Sequence, residues 1–136
     1  MGKIYIYIDG ASKGNPGKSA YGVVIFKNNK IYKKMGDYIG ITTNNVAEYI
    51  SLIFALIECL PLKTNEIEIK SDSQLLVKQV NGEYKVKDEK LLIFHKIVSF
   101  LFSKYNNIRI TYISREENKI ADKVANSFIE KDDELF

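Results

Sequence analysis

Hydrophobic and polar positions divide this chain into segments of two different periods. Residues 3–9 (KIYIYID) are rich in Ile and Tyr and show no polar face, which predicts a central strand covered on both sides. Residues 10–18 then read as a Gly/Pro/Asn turn. Residues 20–27 and 30–39 are two more β-rich runs, and Asn28-Asn29 between them predicts a hairpin. The period changes at Thr43-Asn44, after which Val46, Ala47, Ile50, Ile53, Phe54 and Ile57 recur at helical spacing until Pro61. Residues 66–70 alternate as a short strand, and residues 73–80 read as a helix ended by Asn81-Gly82. Asp88 caps a helix over 88–104 that carries Leu91, Leu92, Phe94, Ile97, Val98 and Leu101. Residues 108–113 form the last strand and 116–130 the last helix, with Ile120, Val124 and Phe128 on one face.

The predicted order is βββαβααβα. Three meandering strands followed by β/α alternation imply an α/β fold: a five-stranded mixed sheet, three strands antiparallel and two parallel, flanked by helices. The length of 136 residues fits one domain, 1–136, without internal repeat or linker, and 46% apolar residues supply a core. Residues 130–136 are predominantly acidic and read as a solvated, frayed end.

Composition narrows the chemistry. The single cysteine, Cys59, sits in an apolar helical run and reads as a buried core thiol. It excludes an intrachain disulfide, and no Cys/His cluster points to zinc. No apolar run reaches the length of a bilayer span, and the N-terminus shows no signal peptide; Ile6 stands where a myristoylation motif needs Ser or Thr. The expected location is cytoplasmic. The net charge of +3 is a weak pointer to nucleic acid, because 18 lysines against two arginines also match the habit of an AT-rich genome.

Four acids stand out by position. Asp9 closes the first strand, Asp72 follows the fourth, Glu48 lies one turn into the first long helix, and Asp122 lies on the last helix beside Ala121 and Val124. Each has an ordinary reading: Asp9 as a turn former, Asp72 as a helix cap (a job Ser71 or Ser73 also fits), Glu48 as a first-turn acid favoured by the helix dipole, Asp122 as a solvated helix residue. Jointly those readings weaken. In open sheets, sites collect where strands end and connections diverge. Four acids gathered at one such edge repel one another unless cations neutralise them. An all-oxygen ligand set selects hard cations, Mg²⁺ or Mn²⁺, and two such ions between carboxylates suit phosphodiester cleavage.

These residues also sit in motifs. Asp9-Gly10-Ala11-Ser12-Lys13-Gly14-Asn15-Pro16-Gly17, Thr43-Asn44-Asn45-Val46-Ala47-Glu48, Ser71-Asp72-Ser73-Gln74 and Glu117-Asn118-Lys119-Ile120-Ala121-Asp122 resemble, in order and spacing, type 1 ribonuclease H. The likeness covers nearly the whole chain. It implies an endonuclease that cuts the RNA strand of an RNA–DNA hybrid with two Mg²⁺ or Mn²⁺ ions and leaves 5′-phosphate and 3′-hydroxyl ends. Asp9, Glu48, Asp72 and Asp122 match the family's metal-binding carboxylates. Gly14, Asn15, Asn44 and Asn45 match positions that meet the minor groove and the RNA 2′-hydroxyls, and Thr43 one that holds a DNA-strand phosphate. Capping is the ordinary reading of the Asn44-Asn45 pair. Lys13, Lys85 and Lys87 are candidate phosphate contacts.

The chain departs from the family pattern in three places. The loop after the last strand, Ser114-Arg115-Glu116, lacks the family's histidine, so Arg115 is the nearest candidate to replace it. The only histidine, His95, reads as a surface or core-edge residue. The stretch 81–88 is too short for the basic protrusion of some relatives, and a separate hybrid-binding domain is absent from the sequence. Double-stranded RNA therefore stays open as a second substrate. A monomer is expected. The competing readings are a non-catalytic nucleic-acid-binding module on the same fold and another metal-dependent enzyme of that broad fold, such as an integrase or exonuclease.

Overall fold

The computed structural model describes residues 2–135. Five strands, β1 (Lys3–Gly14), β2 (Gly17–Lys27), β3 (Lys30–Thr42), β4 (Glu66–Ser71) and β5 (Asn107–Tyr112), form one sheet in the order β3-β2-β1-β4-β5. β1, β2 and β3 are antiparallel, while β4 and β5 run parallel to β1. The helices are α1 (Asn44–Glu58), α2 (Gln74–Val80), α3 (Glu89–Phe102) and α4 (Lys119–Leu135), with short 3-10 turns at Leu60–Leu62 and Arg115–Asn118. The element order and the mixed sheet agree with the sequence pattern.

The core lies between one sheet face and α1. Ile4, Ile6, Ile8, Ile67, Ile69 and Ile110 from the three parallel strands meet Leu52, Ala55 and Leu56 of α1. Cys59 is fully buried there, and burial pushes its thiol pKa up to about 12, as suits an inert core group. α3 packs outside α1 with Leu91, Val98 and Leu101 buried, whereas Leu92 and Ile97 are exposed.

The opposite face is covered by α4. Its buried residues are Ala121, Ala125 and Ile129, one position on from the stripe Ile120, Val124 and Phe128, which is only half-buried. Small residues face the sheet because the backbones nearly touch: a Cβ on Gly22 would lie 2.5 Å from the Ala121 carbonyl oxygen.

Some features differ from expectation. Residues 10–14 and 17–18 continue the strands, leaving only Asn15 and Pro16 outside the pairing, and Gly14 pairs with Gly17. Asp9 therefore lies inside β1 rather than at its end. Their Gly, Ser and Asn content reads as a turn, yet their ladder to β2 is unbroken. Nor is β1 covered on both sides throughout, since Tyr5 and Tyr7 are only half-buried. Finally, the acidic end is ordered helix to Leu135: Lys18 Nζ meets Asp132 and Asp133 at 3.0 and 2.9 Å, and Lys13 meets Asp133 at 3.0 Å. Phe136 lies outside the described residues. The Asn28-Asn29 hairpin forms as expected, both residues having positive φ.

Candidate active site

The acids come together through specific backbone contacts. Thr43 caps α1 by accepting a hydrogen bond from Val46 N, which starts the helix directly after β3. One turn later Glu48 is buried against β1, where its Oε1 accepts the Gly10 N–H at 2.6 Å. That approach requires glycine at position 10, since a Cβ there would stand 2.3 Å from the Ala47 carbonyl carbon. Asp72 sits in the turn after β4, and it is Ser73 that caps α2, by accepting from Leu76 N. Freed from capping, the Asp72 carboxylate joins the others. One oxygen each from Asp9, Glu48 and Asp72 lies within 4.8 Å of the rest.

Burial and proximity set the electrostatics. Asp9 is 4% exposed, and its pKa is raised by that burial and then by the charges of Glu48, Asp72 and Asp122. Glu48 is raised by burial and by Asp72, partly offset by the Gly10 N–H and by Arg115. Two carboxyls held above their usual range, beside a third, make a site that gains from a bound cation. The cluster is placed to hold a metal ion.

Asp122 lies at the margin of this cluster rather than within it. It is exposed on α4 and lines the same cavity of about 450 Å³ with Asp9, Glu48, Asp72, Asn44, Asn45 and Arg115. Asn126, one turn on, donates to Asp122 Oδ1 at 3.0 Å. Of the other predicted residues, Asn15 and Thr43 line an adjoining hollow, and Gly14 closes the hairpin beside them. The Asn pair does not cap α1: Thr43 does, and the Asn44 N–H donates to Asn15 Oδ1 at 3.0 Å.

Two residues carry more than the sequence reading assigned them. Asn126 is detectable by its i, i+4 spacing from Asp122 on a helix. Asn118 is fully buried; its Nδ2 donates to the Ile8 carbonyl at 2.8 Å and to Asp72 Oδ2 at 3.1 Å, tying the β1 backbone to the acid after β4. Its Oδ1 has no hydrogen-bond partner among the described residues. The capping box between Ser114 and Glu117 orders the 3-10 turn that delivers Asn118 and Arg115. Asn118→Ala is expected to cost about 2 kcal/mol in urea unfolding, because it leaves the Ile8 carbonyl and the Asp72 carboxylate without this donor.

Comparison with known proteins agrees with this geometry. A family model described as reverse transcriptase-like matches residues 7–128. The crystal structure of RNase H1 from Halobacterium salinarum superposes with a TM-score of 0.90 at 37% identity, over 96% of this chain and 99% of that one. The chain belongs to the type 1 ribonuclease H family. LC11-RNase H1, crystallised in complex with an RNA/DNA hybrid, gives a TM-score of 0.89 at 37% identity, over 94% of this chain and 97% of that one. A bifunctional protein of Mycobacterium tuberculosis is 36% identical over 91% of this chain. The chain spans 35% of that protein's length, and 65% of the curated ribonuclease HI of Halobacterium salinarum.

Where this chain departs from the family motifs, the structure positions the residues concerned. Arg115 lines the acid cavity and its charge reaches Glu48. His95 is half-buried on α3, its Nε2 3.1 Å from the Gln79 carbonyl oxygen, and it does not line that cavity. His95→Ala is expected to leave the hybrid-cleavage rate within about twofold of the parent; a hundredfold loss of kcat in a folded variant would overturn this placement. Lys85 lines a separate hollow with Tyr84 and His95, and Lys13 is engaged by Asp133. Among the described residues, no helix is long and apolar enough to cross a membrane.

Proposed function

We propose that this chain is an endonuclease hydrolysing the RNA strand of RNA–DNA hybrids, with Mg²⁺ or Mn²⁺ held by Asp9, Glu48, Asp72 and Asp122. The observation that carries the reading is the three-carboxylate cluster with Asp122 at its margin, inside a fold whose 37%-identical neighbour is crystallised on an RNA/DNA hybrid. The donor set fits a hard divalent ion: the atoms are all carboxylate oxygens, two of the acids are buried, and burial resists their ionisation. When bound, a pair of such ions supplies a nucleophile at neutral pH and stabilises the leaving oxygen.

The chain's own residues then have separable tasks. Gly10 N–H fixes the Glu48 carboxylate, and Asn118 holds Asp72 to β1. Asn44 and Asn45, on the cavity wall, present amides to the minor-groove edge of a duplex, where 2′-hydroxyls distinguish RNA from DNA. Arg115 supplies the positive charge nearest Glu48, suited to a phosphate of the RNA strand.

The deciding assay incubates the protein and Mg²⁺ with labelled hybrid, double-stranded RNA, double-stranded DNA and single strands. RNA cleavage in the hybrid, with 5′-phosphate ends, is the expected result. Binding without cutting would instead mark a non-catalytic module, and cutting of double-stranded RNA would widen the substrate class.

A pH dependence follows from the raised acids. Burial and the neighbouring charges hold Asp9 and Glu48 above the usual carboxylate range, and each must lose its proton to hold a cation, so binding releases protons and Mg²⁺ affinity rises with pH above that range. Without cation the sign for stability is opposite. The folded state binds more protons than the unfolded state above the usual carboxylate range, so stability falls as pH rises from there. Calorimetric titration in two buffers of different ionisation enthalpy measures the proton release; none would contradict the raised acids.

A further inference from the structure

α4 covers only part of its sheet face. It packs over Gly22 and Gly36 and leaves the far end of β1 open. With Ile4, Ile6 and Ile8 buried on the opposite face, Tyr5 and Tyr7 project from this one. Phe26 pairs with Tyr5 across β2, and its ring meets Tyr7 edge-on at 5.6 Å. Lys70 of β4 lies over both tyrosines, its Nζ 5.1 and 5.6 Å from the ring centroids, and Lys3 lies 5.1 Å from Tyr5. Tyr5, Tyr7, Phe26, Asn29 and Lys70 line a cavity of about 420 Å³, separate from the acid cavity. That volume is in the range that accepts a small planar ligand.

The charge on this face is not balanced. Its acids Glu66 and Glu68 are engaged by Lys3, and Glu68 also by Arg109. Lys70, and Lys34 (in register with Val24), form no ion pair among the described residues; Glu117 senses Lys70 only at longer range. Half-exposed rings interleaved with uncompensated lysines are what single-stranded nucleic acid recognises, since bases stack on aromatic faces and phosphates follow cations. The location agrees. Asp9 lies two residues beyond Tyr7 and Asp72 two beyond Lys70, a strand distance of about 7 Å.

We propose that this aromatic face binds single-stranded nucleic acid, with a base seated among Tyr5, Tyr7 and Phe26 and its phosphates drawn to Lys70 and Lys34. The proposal needs no hydrolysis, so it is tested apart from cleavage. Fluorescence anisotropy with labelled single-stranded RNA and DNA, in chelator at low salt, compares the parent protein with Tyr5→Leu/Tyr7→Leu and with Lys34→Glu/Lys70→Glu. Each double variant should bind single strands about tenfold more weakly. Cleavage of blunt hybrid should stay unchanged in Tyr5→Leu/Tyr7→Leu. If that variant does not fold, the lysine variant, altered only at ion-pair-free side chains, carries the test alone. No binding by the parent, or equal binding by parent and folded variants, would overturn the proposal. So would a change in sedimentation without a change in nucleic-acid affinity, which would assign the face to a second copy of the chain.

Discussion

Replacing Asp9 by Asn is expected to lower hybrid cleavage by at least about a thousandfold while leaving the metal-free protein as stable as the parent or more so. The two effects have one origin. Asp9 is buried beside Glu48 and Asp72, and its charged form is disfavoured first by desolvation and then by its neighbours. An amide of the same shape removes that cost to the empty fold. It also removes the acid central to cation binding, and metal-derived charge stabilisation of several kcal/mol corresponds to a rate factor of this order. Thermal melts in chelator and in Mg²⁺ separate the two. The parent should gain stability from Mg²⁺ and Asp9→Asn should not. A variant that keeps full activity would remove the carboxylate cluster from the mechanism.

The second large effect concerns stability and needs no charge. Gly10→Ala is expected to destabilise the fold by about 3 kcal/mol, at the upper end of what overpacking costs, because the added Cβ collides with backbone rather than with a side chain that could turn away. The atoms it meets are the Ala47 carbonyl carbon and oxygen and the Glu48 nitrogen. Relief requires α1 to lift from β1, which breaks the 2.6 Å bond from Gly10 N–H to Glu48. The variant should therefore lose Mg²⁺ affinity as well as stability, whereas a control such as Gly82→Ala, whose added Cβ meets nothing within 4 Å, should keep its Mg²⁺ affinity. Urea unfolding and calorimetry on both proteins make the comparison.

How much of this was legible beforehand varied with the physics behind each feature. The core strands and α1 follow from simple periodicity, so their placement agrees with the sequence pattern. The acids were recognisable because carboxylates inside or beside apolar segments are costly to bury without a partner. The extension of β1 through Gly14 was hidden, since Gly, Ser and Asn carry turn preferences that the ladder to β2 overrides. The buried face of α4 lies one position from the Ile120, Val124 and Phe128 stripe because the sheet needs small residues there, and Ala121 and Ala125 carry little weight in a hydrophobic pattern. The acidic end reads as solvated in the sequence because its partners, Lys13 and Lys18, are more than a hundred residues away. Asn118 stood inside a recognised motif, but a buried amide that crosses from one strand end to another leaves no periodic trace.

The separation of the acids along the chain bears on when the acid cavity is first complete. Synthesis proceeds from the N-terminus, and Asp9, Glu48 and Asp72 emerge well before β5, the Arg115–Asn118 turn and α4. A nascent chain at that stage carries three acids but neither Asn118 to brace Asp72 nor Asp122 at the cavity margin. Its β4 edge is also unpaired, because β5 is its only neighbour on that side. Docking of residues 107–135 both adds β5 to the sheet and completes the acid quartet. Assembly of the acid quartet in this fold thus waits for α4, however early its first three members are made.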